Sequence, residues 1–222
     1  MTEASHPGFL ATRVEWPTDS TGQRAIAAQA GEVIRDGGLI VYPTDTVYGI
    51  GTDPFNPLAI ARIYEAKGRP PEKAIVWLID ALERASDACE VTASAHSLAS
   101  VFWPGALTLV LPRLHPEPEG LSTQAVRVPN HPAALAIIAA AGGAVATTSA
   151  NRSGFPSART ADEAAAALGQ HVDLIVDGGE SPGGVESTVL DLSTSPPAIL
   201  RVGPIRGADI EQVIGAAVER RP

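Results

Sequence analysis

The sequence predicts one α/β domain, a twisted mixed sheet flanked by helices, and three observations carry that expectation. Short apolar runs alternate with segments of helical periodicity, glycine or proline marks most of the joins, and 222 residues suffice for one well-buried core but are short for two.

Ile26, Ala30, Val33 and Ile34 recur at helical spacing, and Gly37-Gly38 ends that helix before a strand over Leu39 to Tyr42. Asn56-Pro57 reads as an N-cap and first-turn proline for a helix through Lys67, closed by Gly68. A strand follows over Ala74 to Ile79. A helix from about Thr92 to Trp103 stops at Pro104-Gly105, and strands are expected over Leu107 to Leu111 and Ala125 to Val128, joined by the proline-rich stretch Pro112 to Pro118. His131-Pro132 opens an alanine-rich helix that ends at Gly142-Gly143. The strand Ala144 to Thr148 then runs into a polar loop, and Thr160 with Glu163 has capping-box spacing for the next helix. Strands near Leu174 to Val176, Thr188 to Leu192 and Ala198 to Val202 precede a last helix over about Asp209 to Arg220. Residues 1–20 read as an N-terminal extension and 21–222 as the domain. In such sheets, ligands sit at strand ends.

Composition narrows the function classes. No apolar run approaches membrane-spanning length, and Met1 to Trp16 carries His6, Pro7 and Glu15 where a signal peptide needs a basic end and an apolar core. The only cysteine is Cys89, so no internal disulfide and no thiolate zinc cluster is available, which suits a reducing cytoplasm. A net charge of -9 disfavours a protein that coats nucleic-acid backbones. The only two lysines, Lys67 and Lys73, stand close together in one segment, which marks it as a candidate site because lysine and arginine differ where a compact cation must meet a phosphate.

Several common catalytic patterns are missing: a Walker-type loop, a strand-linked Gly-x-Gly-x-x-Gly and a Gly-x-Ser-x-Gly elbow. His6, His96, His115, His131 and His171 lack ligand-like spacing, so no protein-ligated metal is expected. What remains is a set of polar loops that each follow a strand or helix. Tyr42 to Gly51 pairs two threonines with glycines that let a backbone approach a polar ligand, although a proline turn with core tyrosines explains it equally. Lys67-Gly68-Arg69-Pro70-Pro71-Glu72-Lys73 holds three cations in a proline-stiffened loop, suited to polyphosphate or else simply solvated. Thr147 to Gly154, with Ser157 and Arg159 beyond, is dense in anion-binding donors. Arg127, alone between apolar residues, should face a carboxylate or phosphate of a ligand, or a structural partner. Gly183 to Thr188 enters a strand and Arg201-Val202-Gly203-Pro204 leaves one.

Taken in order, these segments resemble the YrdC family over about Gly37 to Pro204. The shared motifs are Tyr-Pro-Thr-Asp-Thr-Val-Tyr-Gly at 42–49, Lys67-x-Arg69, Trp103-Pro104-Gly105 with Leu107-Thr108, Arg127-Val128-Pro129, Thr148-Ser149-Ala150-Asn151, and Glu186-Ser187-Thr188. The resemblance implies an α/β fold around a deep open cavity and a nucleotidyltransferase that converts ATP, L-threonine and bicarbonate to threonylcarbamoyl-adenylate and pyrophosphate. That product serves the threonylcarbamoyl modification of the tRNA adenosine beside the anticodon, by hand-off to a transferase complex, with only weak or indirect tRNA contact. By the same resemblance Thr46, Arg127, Thr147 and Ser187 form the threonine site. Lys67, Arg69, Lys73, Thr123, Ser149, Asn151, Ser157 and Arg201 form the ATP site, with Mg2+ carried by the phosphates. Lys67 and Arg69 are the candidate catalytic cations, because two anionic reactants need fixed positive charge more than an acid/base dyad.

The chain departs from the family pattern at Ala74 and Ala106, where proline is frequent, and at Leu78, where the longer two-domain branch has a histidine near threonine. Leu78 and the chain's end without that branch's C-terminal domain suggest the compact type. Two other readings compete. One is a double-stranded RNA-binding module using Lys67, Arg69, Lys73 and Arg127 on a concave surface. The other is the carbamoyl transfer of hydrogenase maturation, disfavoured because the related domain there belongs to a much longer chain with a zinc-finger region.

Overall fold

A computed structural model of the chain describes residues 11–116 and 120–221. The expectations at His6, across residues 1–10 and over the Pro118 end of the proline-rich connection lie outside the described residues.

In chain order the elements are β1 (Thr12–Glu15), α1 (Ser20–Arg35), β2 (Ile40–Tyr42), β3 (Gly49–Thr52), α2 (Pro57–Lys67), β4 (Val76–Ile79), a 3-10 helix (Leu82–Asp87), α3 (Ala93–Phe102), β5 (Leu107–Pro112), β6 (Thr123–Arg127), α4 (Pro132–Ala140), β7 (Ala144–Ser149), α5 (Ala161–Leu168), β8 (Leu174–Asp177), β9 (Thr188–Asp191), β10 (Ala198–Arg201), α6 (Gly207–Ile214) and β11 (Glu219–Arg220). The strands form one open twisted sheet in the order β1-β8-β2-β3-β7-β4-β6-β5-β9-β10-β11. Pairing is mixed: β4 runs parallel to β6 and antiparallel to β7, and β5 runs antiparallel to β6 and parallel to β9.

Local signals set the boundaries. The Asn56 side chain accepts from Leu58 N and Ala59 N, and Gly68 in the left-handed region at φ 57° stops α2, so Lys67 sits on its last turn. Thr160 caps α5 through Glu163 N, and the Glu163 carboxylate turns back to Arg159 N. The expected last helix is too long: Gly215, at φ 66°, ends α6 after Ile214, and Glu219–Arg220 instead pair with β10. Thr12–Glu15, inside the expected extension, pair in parallel with β8 as an edge strand.

Two apolar layers sandwich the sheet. On one face, Ala30 and Ile34 of α1 and Ala134, Ile137 and Ile138 of α4 pack on Ile40, Tyr42, Leu78 and Val145. On the other, α2, α3, α5 and α6 cover Trp77, Leu109, Val126, Leu190 and Ile199. α1 and α4 lie over the β2 and β7 side of the first face and leave the β6, β5 and β9 side uncovered. The hollow over that uncovered floor is where polar residues collect.

Candidate active site

Side chains alternate across a strand, so residues flanking the core positions point the other way. Val76 and Leu78 on β4, Ala125 and Arg127 on β6, Thr108 and Val110 on β5 and Val189 on β9 line the floor of a cavity of about 1050 Å³. Trp77, Val126, Leu109 and Leu190 between them belong to the opposite core. Loops build the walls: 44–49 between β2 and β3, 67–74 after α2, 147–157 after β7, and Glu186 and Ser187 before β9, with Arg201 at the end of β10.

Every residue expected in the site lines this one cavity except Thr123. Thr123 starts β6 opposite Pro112, half-buried and on the same face of the strand as Ala125 and Arg127, and its carbonyl accepts from Arg113 Nε. The others come from separate segments: Thr46, Lys67, Arg69, Lys73, Arg127, Thr147, Ser149, Asn151, Ser157, Ser187 and Arg201.

One cluster of polar groups in the cavity is organised around Arg127. Its Nε donates to Gly105 O at 2.7 Å, Nη1 to Thr46 Oγ1 at 3.0 Å and Nη2 to Asp45 Oδ1 at 2.5 Å. The Trp103-Pro104-Gly105 turn thus supplies the carbonyl that orients Arg127. These bonds engage three of the guanidinium's five N–H groups. Burial lowers the Arg127 pKa from its ordinary value, and Asp45 works against that shift. Hydroxyls surround the group. Thr44 Oγ1 lies 3.0 Å from Thr46 Oγ1, Thr108 Oγ1 lies 2.8 Å from Ser187 Oγ, and Thr147 Oγ1 lies 2.6 Å from the Tyr42 hydroxyl, whose pKa burial raises. Gly183 N and Gly184 N bond Asp45 O and Thr46 O, which seats the segment entering β9 against the first loop. A side chain at Gly183 would meet Asp45 O at 2.5 Å, so only glycine fits there.

A second cluster is cationic. Lys67 is 2% exposed, and its Nζ donates to the carbonyls of Ser149 and Asn151, leaving one of its three N–H donors. Ser153 N returns a bond to Lys67 O at 2.9 Å, so α2 and the loop after β7 hold each other in place. Burial, then Arg69, lowers the Lys67 pKa to about 8. Arg69 is braced on the carbonyls of Lys73 and Ala74, and burial lowers its pKa as well. Arg201 donates through Nε to Ser187 O at 2.9 Å and through Nη2 to Ser187 Oγ at 3.1 Å, and pairs with Glu186 through Nη1. Asn151 fixes its loop by donating to Arg152 O and Phe155 O, while its Oδ1 is buried without a partner.

Two acidic residues at the site went unassigned in the sequence. Asp45 holds Arg127, and Glu186 holds Arg201 while accepting from Ser157 Oγ at 2.8 Å. Both lie inside motifs whose other residues are donors suited to an anion. Leu78 and Ala74 also line the cavity, whereas Ala106 contributes a carbonyl that accepts from Thr188 N. The double-stranded RNA reading needs its cations on an open face. Lys67 and Arg127 are only 2% and 5% exposed, which leaves little of either for a nucleic-acid backbone to contact.

Fold and site together define a class: a mixed-sheet α/β protein whose loops converge on one cavity lined by cations and hydroxyls. The profile of the Sua5, YciO and YrdC family, described as telomere recombination, matches residues 32–203, and the chain belongs to this family. It is 44% identical over 187 residues to the threonylcarbamoyl-AMP synthase of Pyrococcus abyssi, covering 82% of this chain and 55% of that one. It is 43% identical over 194 residues to the threonylcarbamoyl-AMP synthase of Bacillus subtilis, covering 85% and 56%. A crystal structure of P. abyssi Sua5 complexed with L-threonine superposes with a TM-score of 0.86 at 39% identity, covering 96% of this chain and 63% of that one. The chain therefore spans a little over half the length of these relatives. Among the described residues, no helix is long and apolar enough to cross a membrane.

Proposed function

We propose that the chain is an L-threonylcarbamoyl-adenylate synthase that uses ATP, L-threonine and bicarbonate and releases pyrophosphate. One observation carries the reading: a buried arginine ringed by hydroxyls and a set of braced cations line the same single cavity, with Ser187 bonded to Arg201 between them. That pairing suits a small amino acid beside a triphosphate, and the relatives' names agree with it.

The chemistry asks for positioning and charge. The threonine amine adds to bicarbonate with loss of water, giving a carbamate. A carbamate oxygen then forms a bond to the α-phosphorus of ATP as the bond to pyrophosphate breaks. Both reactants are anions, so fixed cations that need no reorganisation lower the barrier. In this proposal the free N–H groups of Arg127 take the threonine carboxylate, with Thr46, Thr147 and Ser187 beside it. Lys67 and Arg69 offset charge at the reacting phosphate, while Lys73, Thr123, Ser149, Asn151, Ser157 and Arg201 hold the rest of the ATP. Mg2+ enters with the nucleotide as part of that substrate. The product's destination, a transferase that modifies tRNA, and a cytoplasmic setting belong to the same proposal.

The test is pyrophosphate release from ATP, measured with L-threonine and bicarbonate and with each left out in turn. Release is expected only with both co-substrates. Release indifferent to threonine contradicts the assignment.

A further inference from the structure

Among the described residues that line the cavity, Glu186 is the only carboxylate, and the reaction proposed above gives it no task. Its position is specific. Oε1 accepts from Ser157 Oγ at 2.8 Å, Oε2 pairs with Arg201, and the carboxylate lies within electrostatic reach of Lys67. It therefore stands among the very groups assigned to the triphosphate. Burial alone would raise its pKa, but Arg201, Ser157 and Ser149 hold it below the usual carboxylate range, so it is ionised at neutral pH.

A fixed negative charge at that point repels an incoming polyphosphate that competes for the same donors. Simple retreat is hindered, because Ser187 next to it is bonded to both Arg201 and Thr108. Arg201 is anchored independently of Glu186 through its two bonds to Ser187, so it can exchange the carboxylate for a phosphate without moving far. The released carboxylate then needs a new positive partner. Glu186 is 31% exposed, open enough for a cation that keeps most of its water, and carboxylate and phosphate oxygens together suit a hard divalent ion.

We infer that Glu186 is a protein-supplied oxygen ligand for the divalent cation that arrives with the nucleotide, turning a repulsive contact into a bridged one. The inference rests on the nucleotide reading and adds a ligand to the protein side of the metal.

Its test uses the full chain and α,β-methylene ATP, which carries the charge of ATP but does not release pyrophosphate. Binding is measured by calorimetry with and without Mg2+, and Mn2+ affinity of the analogue complex is measured by electron paramagnetic resonance, for wild type and Glu186→Gln. The glutamine keeps the side chain's shape and removes its charge, and a thermal melt checks the fold. In the wild type Mg2+ is expected to tighten analogue binding roughly tenfold or more, and the variant to weaken Mn2+ binding by about 10- to 100-fold. Metal-free binding in the variant should match or exceed that of the wild type. Equal Mn2+ affinity in both proteins overturns the inference, as does a variant that loses metal-free binding in proportion, which would make Glu186 a brace for Arg201 only. A wild type that binds no analogue under either condition overturns the nucleotide reading itself.

Discussion

Lys67→Ala is expected to lower pyrophosphate release by about 10²- to 10³-fold, the cost of removing one preorganised group that stabilises charge developing in the transition state. The ammonium has two attachments to the loop after β7, the carbonyls of Ser149 and Asn151, so its remaining donor has a fixed direction. Truncation also leaves those two carbonyls without their donor, a stability loss of about 1–3 kcal/mol that a thermal melt will report separately. The same residue sets a pH limit. Its pKa is lowered to about 8, so the cation is present below that value and lost above it. In the wild type kcat/KM for ATP should therefore fall as pH rises through about 8, tenfold per unit further up. Saturating ATP, whose phosphates favour the charged lysine, should shift the fall in kcat to higher pH. A flat alkaline limb in kcat/KM would mean that the lysine charge has no part in nucleotide use.

Arg127→Ala is expected to act on threonine. Removing one partner of a buried charged contact costs about 2–5 kcal/mol, which corresponds to roughly 30- to several-thousand-fold in threonine KM, with KM for ATP changed much less. Arg127→Lys should recover little, since an ammonium cannot serve Gly105, Thr46, Asp45 and a ligand carboxylate with one planar fork. The variant also strands Asp45, whose side chain is 12% exposed, as a nearly buried carboxylate without its counter-charge. The double variant Asp45→Ala/Arg127→Ala separates the two effects: it should regain thermal stability relative to Arg127→Ala while staying inactive. If the double variant regains threonine-dependent turnover, Arg127 is a structural ion-pair partner and nothing more.

These contrasts show what the residue order made visible. α2 was legible at both ends because Asn56, Pro57 and Gly68 act locally, each through its own backbone requirement. β3 was not, because Gly49-Ile50-Gly51 has weak strand propensity. It becomes a strand through its neighbours: β2 on one side, β7 on the other, and a close approach in which a side chain on Gly49 would strike Thr147 Cγ2 at 2.8 Å. β1 and β11 are likewise edge strands whose pairing depends on distant segments. In the site, donors stood out by type and density, whereas the carboxylates that aim them did not. Asp45 and Glu186 acquire meaning only when Arg127 and Arg201, far off in the chain, come within bonding distance. Thr123 shares strand parity with Ala125 and Arg127, so it lies on the face of β6 that carries the cavity floor, a placement that follows from alternation once the strand's bounds are known.

The most direct measurement is a crystal structure of the full chain with α,β-methylene ATP and L-threonine soaked together. The account requires both in the one cavity, the triphosphate against Lys67, Arg69 and Arg201 and the threonine carboxylate against Arg127. A nucleotide bound outside the cavity, or threonine bound away from Arg127, contradicts it.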